Sequence, residues 1–186
     1  MRRNCVVTLA LCLTMLTAGA QVHRHDPLTP PETDELREAS MDPNAKLSLY
    51  VKYARARLAA IEQLRSDSHA AQGRGRKLHD LLADFRTIVD EMDRNVDSFA
   101  DQKLDFRKAL KEIIQADGEF QTKLQALKQS AHEPTTAPEA KEYEFAVLDA
   151  IDAVEGDLEN VKDLLPLQEK AAAEAAARAR AKSKNK

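Results

Sequence analysis

Residues 78–127 read LHDLLADFRTIVDEMDRNVDSFADQKLDFRKALKEIIQADGEFQTKLQAL, and an apolar residue stands at every seventh position of this stretch. These positions are Leu78, Phe85, Met92, Phe99, Phe106, Ile113, Phe120 and Leu127. A second series, four residues further on in each heptad, is Leu82, Val89, Val96, Lys103, Leu110, Asp117 and Leu124. Such a heptad seam is typical of long α-helices that pack lengthwise in coiled-coil fashion.

The continuity of this seam predicts one long central helix over residues 76–130. Residues 95–105 contain neither Gly nor Pro to make a turn, and the seam alone would extend about 75 Å at ~1.5 Å per residue. Gly118 costs about 1 kcal/mol relative to Ala within a helix, which favours a bend there over a break. The alternative is a turn near residues 97–103, which would divide the stretch into two helices.

Shorter apolar stripes flank the central stretch. On the N-terminal side, Asp42 and Pro43 combine an N-cap with a first-turn proline, and a helix from there should stop before the Gly73 and Gly75 pair. On the C-terminal side, we expect a helix to open at Glu139 and to end or kink at Pro166. The two stripes are Leu47, Val51, Ala54, Leu58 and Ile61, and Val147, Ile151, Val154, Leu158, Val161 and Leu165.

The stripes advance in steps of four and three residues, and their average of about 3.5 is the spacing of gently crossed helices. We therefore predict an all-α fold, an elongated three-helix antiparallel bundle or coiled coil formed by residues 43–165. In it, the two flanking helices run antiparallel to the long central helix. The alternative turn at residues 97–103 would give a four-helix bundle instead.

The first twenty residues have the pattern of a secretory signal peptide. Arg2 and Arg3 precede an apolar run over residues 5–16, and the small residues 17–20 fit a cleavage site. The run is shorter than the ~20 residues of a membrane-spanning helix. Residues 9–12, LALC, permit an alternative lipoprotein interpretation, although the bulky leucine before the cysteine departs from that motif. We expect export, to a periplasmic or extracellular location.

Cleavage near Ala20 would remove both cysteines, Cys5 and Cys12, and leave 166 of the 186 residues. The stability of that product would depend on packing, because no disulfide could form. Residues 21–42 contain three prolines among charged and small residues. This composition predicts a flexible N-terminal arm.

Charge is distributed unevenly along the chain. The whole chain has a net charge of −3, and removal of Arg2 and Arg3 would leave −5. Residues 166–186 contain six bases and two acids, a net +4, so residues 21–165 carry −9. We interpret residues 166–186 as an Ala-rich, basic, helix-forming tail. Its candidate anionic-surface residues are Lys170, Arg178, Arg180, Lys182, Lys184 and Lys186.

The sequence offers little for catalysis or metal binding, and we assign no catalytic or cofactor-binding residue. Histidines His69, His79 and His132 lack the spacing of a metal motif. Residues 93–98, DRNVDS, resemble the start of an EF-hand loop, but the sixth position is Ser98 and the twelfth is Leu104, where Gly and Glu are required. The Gly73–Lys77 turn is basic but follows no strand, so it does not predict a phosphate-binding loop.

Two acidic clusters lie mainly off the apolar stripes, which indicates solvated helix faces rather than acid–base catalysts. They are Asp90, Glu91, Asp93 and Asp97, and Asp149, Asp152, Glu155 and Asp157. Lys103 and Asp117 interrupt the seam itself. Either they fix the register against a partner charge, or the seam is open to water at those points.

One metal site is conceivable at a cleaved N-terminus. Gln21-Val22-His23 would place a histidine third, where an amine, two amides and an imidazole can surround Cu(II) or Ni(II) in a square plane. Cyclisation of Gln21 would remove the amine. His23 is therefore a candidate metal ligand only if the terminus stays free.

These observations favour a non-enzymatic, exported helical protein of a bacterial periplasm or envelope, acting as an interaction or structural module. Its expected partners are another protein or an anionic envelope surface, and it could form homo-oligomers. The alternative is a holdase-like periplasmic chaperone that binds unfolded polypeptides, against which the acidic body argues. Nucleic-acid binding is disfavoured, because the body is acidic and the chain has no Trp and few aromatic residues.

Overall fold

The computed structural model describes residues 26–67, 69, 72–131, 133 and 136–184. Over these residues the chain is helical and contains no strand, which confirms the predicted all-α class. The elements are α1 (Pro30–Glu38), a short 3-10 turn (Ala39–Met41), α2 (Pro43–Ser66), α3 (Arg74–Asp101), α4 (Arg107–Ala131), α5 (Ala137–Ala140) and α6 (Glu144–Lys184). The predicted signal peptide at residues 1–20 lies outside the described residues.

Helices α2, α3, α4 and α6 pack lengthwise around one apolar core. Helix α2 packs along both α3 and α4, and α6 likewise packs along both. Asn44 contacts Ala109 and Arg65 contacts Ser130, so α2 and α4 run parallel. Lys111 of α4 pairs with Glu169 of α6, and the Lys128 end of α4 lies beside Val147, so these two helices run antiparallel. Helices α3 and α4 therefore lie diagonally opposite each other across the core.

The predicted stripes supply most of this core. The eight apolar residues that recur at every seventh position from Leu78 to Leu127 are all at most 7 % exposed. The α2 stripe is equally buried, at 0–3 % exposure from Leu47 to Ile61. Burial of this much apolar surface is the main force that holds the helices together.

The prediction of one continuous central helix is wrong, because α3 ends at Asp101 and α4 begins at Arg107. Lys103 adopts a left-handed conformation with φ of 58°. Its N–H donates to the Ala100 carbonyl, and the Leu104 N–H donates to the Phe99 carbonyl. This pair of bonds is a Schellman motif, in which a left-handed residue ends a helix, usually a glycine. Here the position is occupied by a lysine, so no Gly or Pro in the sequence indicates that the helix ends there.

The start of α4 is held by a residue from a different helix. The Asn44 side chain of α2 accepts a hydrogen bond from the Ala109 N–H at 3.0 Å and donates to the Asp105 carbonyl at 3.1 Å. Asp105 also binds the Arg107 guanidinium, at 2.8 and 2.7 Å. The bond from the Ala109 N–H satisfies one of the backbone donors that a helix N-terminus leaves without a partner.

Residues 30–41, which were expected to lie in a flexible arm, instead form α1 and the 3-10 turn. Thr29 and Glu32 make a capping box, with the Thr29 N–H 2.8 Å from a Glu32 carboxylate oxygen. Pro30 and Pro31 occupy the first turn, where a missing N–H does no harm. The proline content of this segment predicts that it resists helix formation. In the first turn, however, prolines are compatible with a helix.

Some ends of the other helices agree with those predicted from the sequence, and others do not. Helix α2 begins at Pro43 after an Asp42 cap and ends at Ser66, before Gly73, as predicted. Gly73, with φ of 69°, precedes α3. The helix expected from Glu139 is divided, since α5 ends at Ala140 and α6 begins at Glu144. Helix α6 does not end at Pro166, one of the two outcomes expected there, but continues through it to Lys184.

Candidate functional site

Two carboxyl groups face each other inside the core, and they are the most unusual chemical feature of the described residues. Asp117 belongs to α4 and is 0 % exposed, and Asp157 belongs to α6 and is 1 % exposed. None of their four carboxyl oxygens accepts a hydrogen bond from an N–H or O–H of the described residues. The two groups lie within hydrogen-bonding reach of each other, so a proton on one would be shared with the other. We call Asp117 and Asp157 the buried carboxyl pair.

Burial and like charge change the acidity of this pair. Burial raises the pKa of Asp117 to about 7, and the Lys162 ammonium opposes part of that rise. Burial also raises the pKa of Asp157 to about 9, helped by the negative charges of Asp117 and Asp93. Both shifts have the expected sign, because a low-dielectric surrounding disfavours the charged form of a carboxyl. At neutral pH the pair therefore retains a proton.

Asn160 joins the pair's surroundings on α6. Its side-chain amide donates to Asp93 at 2.6 Å and to Asp97 at 3.1 Å, both on α3. Asp93 is also within hydrogen-bonding reach of Asp157. The site thus links α3, α4 and α6 through one amide and a set of carboxyls.

Lys103 and Asp117, the two residues that interrupt the seam, lie in different environments. Lys103 is exposed in the turn between α3 and α4, outside either helix. Asp117 is completely buried, so the interpretation that the seam is open to water there is wrong. Nor is Asp117 matched by a buried opposite charge in the described part of the chain, where the other buried charged residue is Asp157. Asp157 was assigned to a solvated acidic face, and its burial corrects that assignment.

The EF-hand-like segment is helical, and the acidic residues near Arg86 make surface contacts. Asp93 and Asp97, the first and fifth positions of the EF-hand-like segment, belong to the continuous helix α3, so that segment is not a calcium loop. Asp90 and Asp149 lie 3.5 and 3.8 Å from the Arg86 guanidinium. Contacts of this exposed kind contribute little to stability.

The candidate basic residues line the end of α6. Lys170, Arg178, Arg180 and Lys182 are exposed on this helix, where the structure describes them. Lys184 is the last residue of α6, and Lys186 lies outside the described residues. From residue 170 to residue 183 every side chain is exposed except that of Ala172, which is half-buried. We call residues 170–184 the basic arm.

The other sequence candidates do not form a site. His69 is exposed, and the exposed His79 lies 3.3 Å from its neighbour Asp80. His23 and His132 lie outside the described residues. In the Gly73–Lys77 turn, Arg74 is engaged by Glu139 in bonds of 2.8–3.0 Å, so its charge holds α5 against α3 rather than facing an anion in solution.

Two kinds of feature are absent from the described residues. No group of three or more His, Cys, Asp or Glu side chains has an arrangement that could hold a metal ion. None of the described helices combines the length and apolar content needed to cross a bilayer.

Comparison with known proteins gives no further assignment: no family model, curated sequence or solved structure matches this chain.

Proposed function

We propose that this chain is a non-enzymatic, exported interaction or structural protein whose contact element is the basic arm. In this proposal α2, α3, α4 and α6 form a four-helix bundle that supports the arm. The proposed export is supported by the signal-peptide pattern of residues 1–20. A bacterial periplasm or envelope is the corresponding location.

The single observation that carries the proposal is the extension of α6 beyond its partners. Among the described residues, the last polar contacts between α6 and the body join Gln168 to the Leu104 carbonyl at 3.1 Å and Glu169 to Lys111 at 2.8 Å. The helix then continues for residues 170–184, about 22 Å at ~1.5 Å per residue. This stretch is almost entirely exposed, with only Ala172 half-buried, so it is available to a partner.

Charge indicates what kind of surface the arm would contact. Residues 170–184 contain five bases and one acid, whereas residues 21–165 carry a net charge of −9. The arm would therefore be attracted to an anionic surface while the body is repelled by it. Each Lys or Arg near an anionic membrane contributes on the order of 1 kcal/mol.

An apolar groove lies beside the start of the arm and supports the same role. The groove has a volume of about 460 Å³ and lies between the α3–α4 turn and α6. Leu104 and Leu167 line it and are 37 % and 62 % exposed. Basic and apolar groups side by side suit an amphiphilic contact, such as a lipid surface with anionic headgroups.

The proposal is tested by cosedimentation of the full chain with anionic vesicles at low salt, with neutral vesicles as a comparison. The variant Arg178→Glu/Arg180→Glu/Lys182→Glu reverses three charges of the arm. The matched control Arg76→Glu/Lys77→Glu/Lys108→Glu reverses three exposed charges of the body. We expect the arm variant to lose binding, the control to retain it, and moderate salt to weaken it. Equal binding by all three proteins would contradict the proposal.

A further inference from the structure

The buried carboxyl pair lies at the contact between α4 and α6, the two helices that supply it. Both side chains are at most 1 % exposed, so water cannot hydrate their charges. Neither has an N–H or O–H donor among the described residues. Burial of an ionised carboxylate without a donor or a counter-charge is strongly unfavourable.

The charged groups around the pair do not remove this penalty. From α3, Asp93 adds a further negative charge, and its own hydrogen bond comes from the neutral Asn160 amide. From α6, the Lys162 ammonium acts on Asp117 but is exposed to solvent. From α2, the Arg55 guanidinium lies 3.0 Å from a Glu119 carboxylate oxygen on α4, so its charge is already engaged.

A proton is the ligand that satisfies the pair. A protonated carboxyl has one O–H donor, and a neighbouring carboxylate accepts such a bond especially well. One bound proton therefore gives the pair a hydrogen bond and removes one of its two charges. Two ionised carboxyls in the same place would have neither benefit.

We propose that Asp117 and Asp157 form a proton-binding switch that controls the contact between α4 and α6. With the proton bound, one carboxyl donates its O–H to the other and the two helices stay closed. When hydroxide removes that proton as water, two adjacent carboxylates remain in the core without a donor. Their repulsion and their demand for water then loosen α6 from α4.

The direction of the pH effect follows from the raised pKa values. The ordinary pKa of an aspartate is 3.8, whereas burial raises the pKa of Asp117 to about 7 and that of Asp157 to about 9. At pH values between the ordinary pKa and these raised pKa values, the folded chain binds more protons than the unfolded chain. The free energy of unfolding therefore falls as pH rises. The stabilisation from this pair is complete below about pH 4 and is lost as pH rises through about 7 to 9.

The test compares urea unfolding of the full chain at about pH 5.5 and about pH 9, a range that brackets most of the expected titration. We expect the midpoint of the unmodified chain to fall clearly at the higher pH. Asp157→Asn keeps a donor for Asp117 at every pH, and Asp117→Asn/Asp157→Asn removes both charges. Both variants should lose most of this fall. Asp152→Asn, an exposed acid on the same helix, is the matched control and should keep it.

An independent measurement protects the test against a variant that folds poorly. The carboxyl carbons of Asp117 and Asp157 can be followed by NMR in the unmodified chain. We expect at least one of them to titrate above about pH 6, far from the ordinary range of aspartate. The proposal is overturned if both are ionised at about pH 5.5, or if the unfolding midpoint of Asp157→Asn falls with pH as much as that of the unmodified chain.

Discussion

Phe85 of α3 and Phe120 of α4 meet edge to face at the centre of the core, with ring centroids 5.3 Å apart and planes at 88°. Both rings are at most 1 % exposed. The two helices lie on a diagonal, and α2 and α6 each pack against both of them. The aromatic contact therefore joins two helices that share no long interface. Edge-to-face geometry adds about 0.5–1.5 kcal/mol to the burial of the rings.

Replacing Phe120 by alanine should be among the most destabilising single changes in the chain. Phe120→Ala removes a buried ring and its contact with Phe85, and such changes typically cost about 3–5 kcal/mol of unfolding free energy. Phe145→Ala is the matched control, because Phe145 is 75 % exposed and its loss should change stability by less than about 0.5 kcal/mol. Urea unfolding of the two variants measures both values, and similar losses would contradict the central role of Phe120.

Lys103→Gly should stabilise the chain. Lys103 holds a left-handed conformation, which disfavours residues with a Cβ by roughly 1 kcal/mol and suits glycine. We expect a gain of about 0.5–1 kcal/mol in thermal or urea unfolding. Gln102→Gly is the control one residue earlier, where the backbone is right-handed, and it should destabilise. A loss of stability in Lys103→Gly would contradict the prediction that the left-handed Lys103 is strained.

Asn44 has a separate, testable role at the start of α4. Asn44→Ala removes both its acceptance from the Ala109 N–H and its donation to the Asp105 carbonyl. Loss of a cap costs about 0.5–2 kcal/mol, and amide hydrogen exchange should increase in the first turn of α4. Asn44→Asp keeps the acceptor and should retain much of the stability. Unchanged exchange in Asn44→Ala would contradict the capping role.

Two helical glycines should respond oppositely to alanine. A Cβ on Gly75 would lie 2.9 Å from the Glu139 carbonyl oxygen, so Gly75→Ala should push α5 away from α3 and cost about 1–3 kcal/mol. Gly118 has nothing within 4 Å of such an atom, so Gly118→Ala should stabilise α4 by up to about 1 kcal/mol. Thermal unfolding distinguishes the two signs, and destabilisation by both changes would show that Gly118 has a role beyond helix formation.

Acid should weaken the attachment of α1. The Arg57 guanidinium, 2.6 Å from Glu32, and the Thr29 N–H outweigh burial and hold the pKa of Glu32 below its ordinary value of 4.5. A lowered pKa gives stability that is present above about pH 4.5 and is lost as pH falls through the folded value. This sign is opposite to that of the buried carboxyl pair.

Hydrogen exchange in α1 at about pH 7 and about pH 3, corrected for intrinsic rates, should show this loss. Glu32→Gln should reproduce it at neutral pH and cost about 1–3 kcal/mol, the usual range for a lost charged hydrogen bond. Glu62→Gln is the control, since Glu62 and Lys123 are 51 % and 44 % exposed and such a pair contributes at most about 1 kcal/mol. Equal effects of the two variants would contradict the prediction.

Apolar periodicity predicted the helices but not their connections. The stripes of α2, α3 and α4 are buried as expected. The buried face of a helix can be recognised from the spacing of nearby apolar residues alone. The break after Asp101 depends on Asn44, which is about sixty residues away, and on a lysine in a conformation that normally indicates glycine. The register continued through the break because Phe99 and Phe106 both face the same core, with ring centroids 6.0 Å apart.

The buried carboxyl pair could be found only in part. Asp117 stood out as a charge in an otherwise apolar series. Asp157 has the pattern of a solvated acidic face, although it lies three residues after Val154 and four before Val161, the spacing of one helix face. That the two acids face each other depends on the relative register of α4 and α6, which no local pattern contains. In α1, the threonine and glutamate of a capping box were present but were outweighed by the prolines beside them.

The diagonal placement of α3 and α4 has a consequence for folding cooperativity. Helices α2 and α3 are consecutive and adjacent, and so are α4 and α6 apart from the short α5. The chain thus consists of two sequence-local halves joined at residues 102–106. Neither half has a complete core, because Phe85 belongs to one and its partner ring Phe120 to the other. Each half gains most of its burial only when it docks on the other, so we expect the deepest amides of α3 and α4 to exchange through a single global opening.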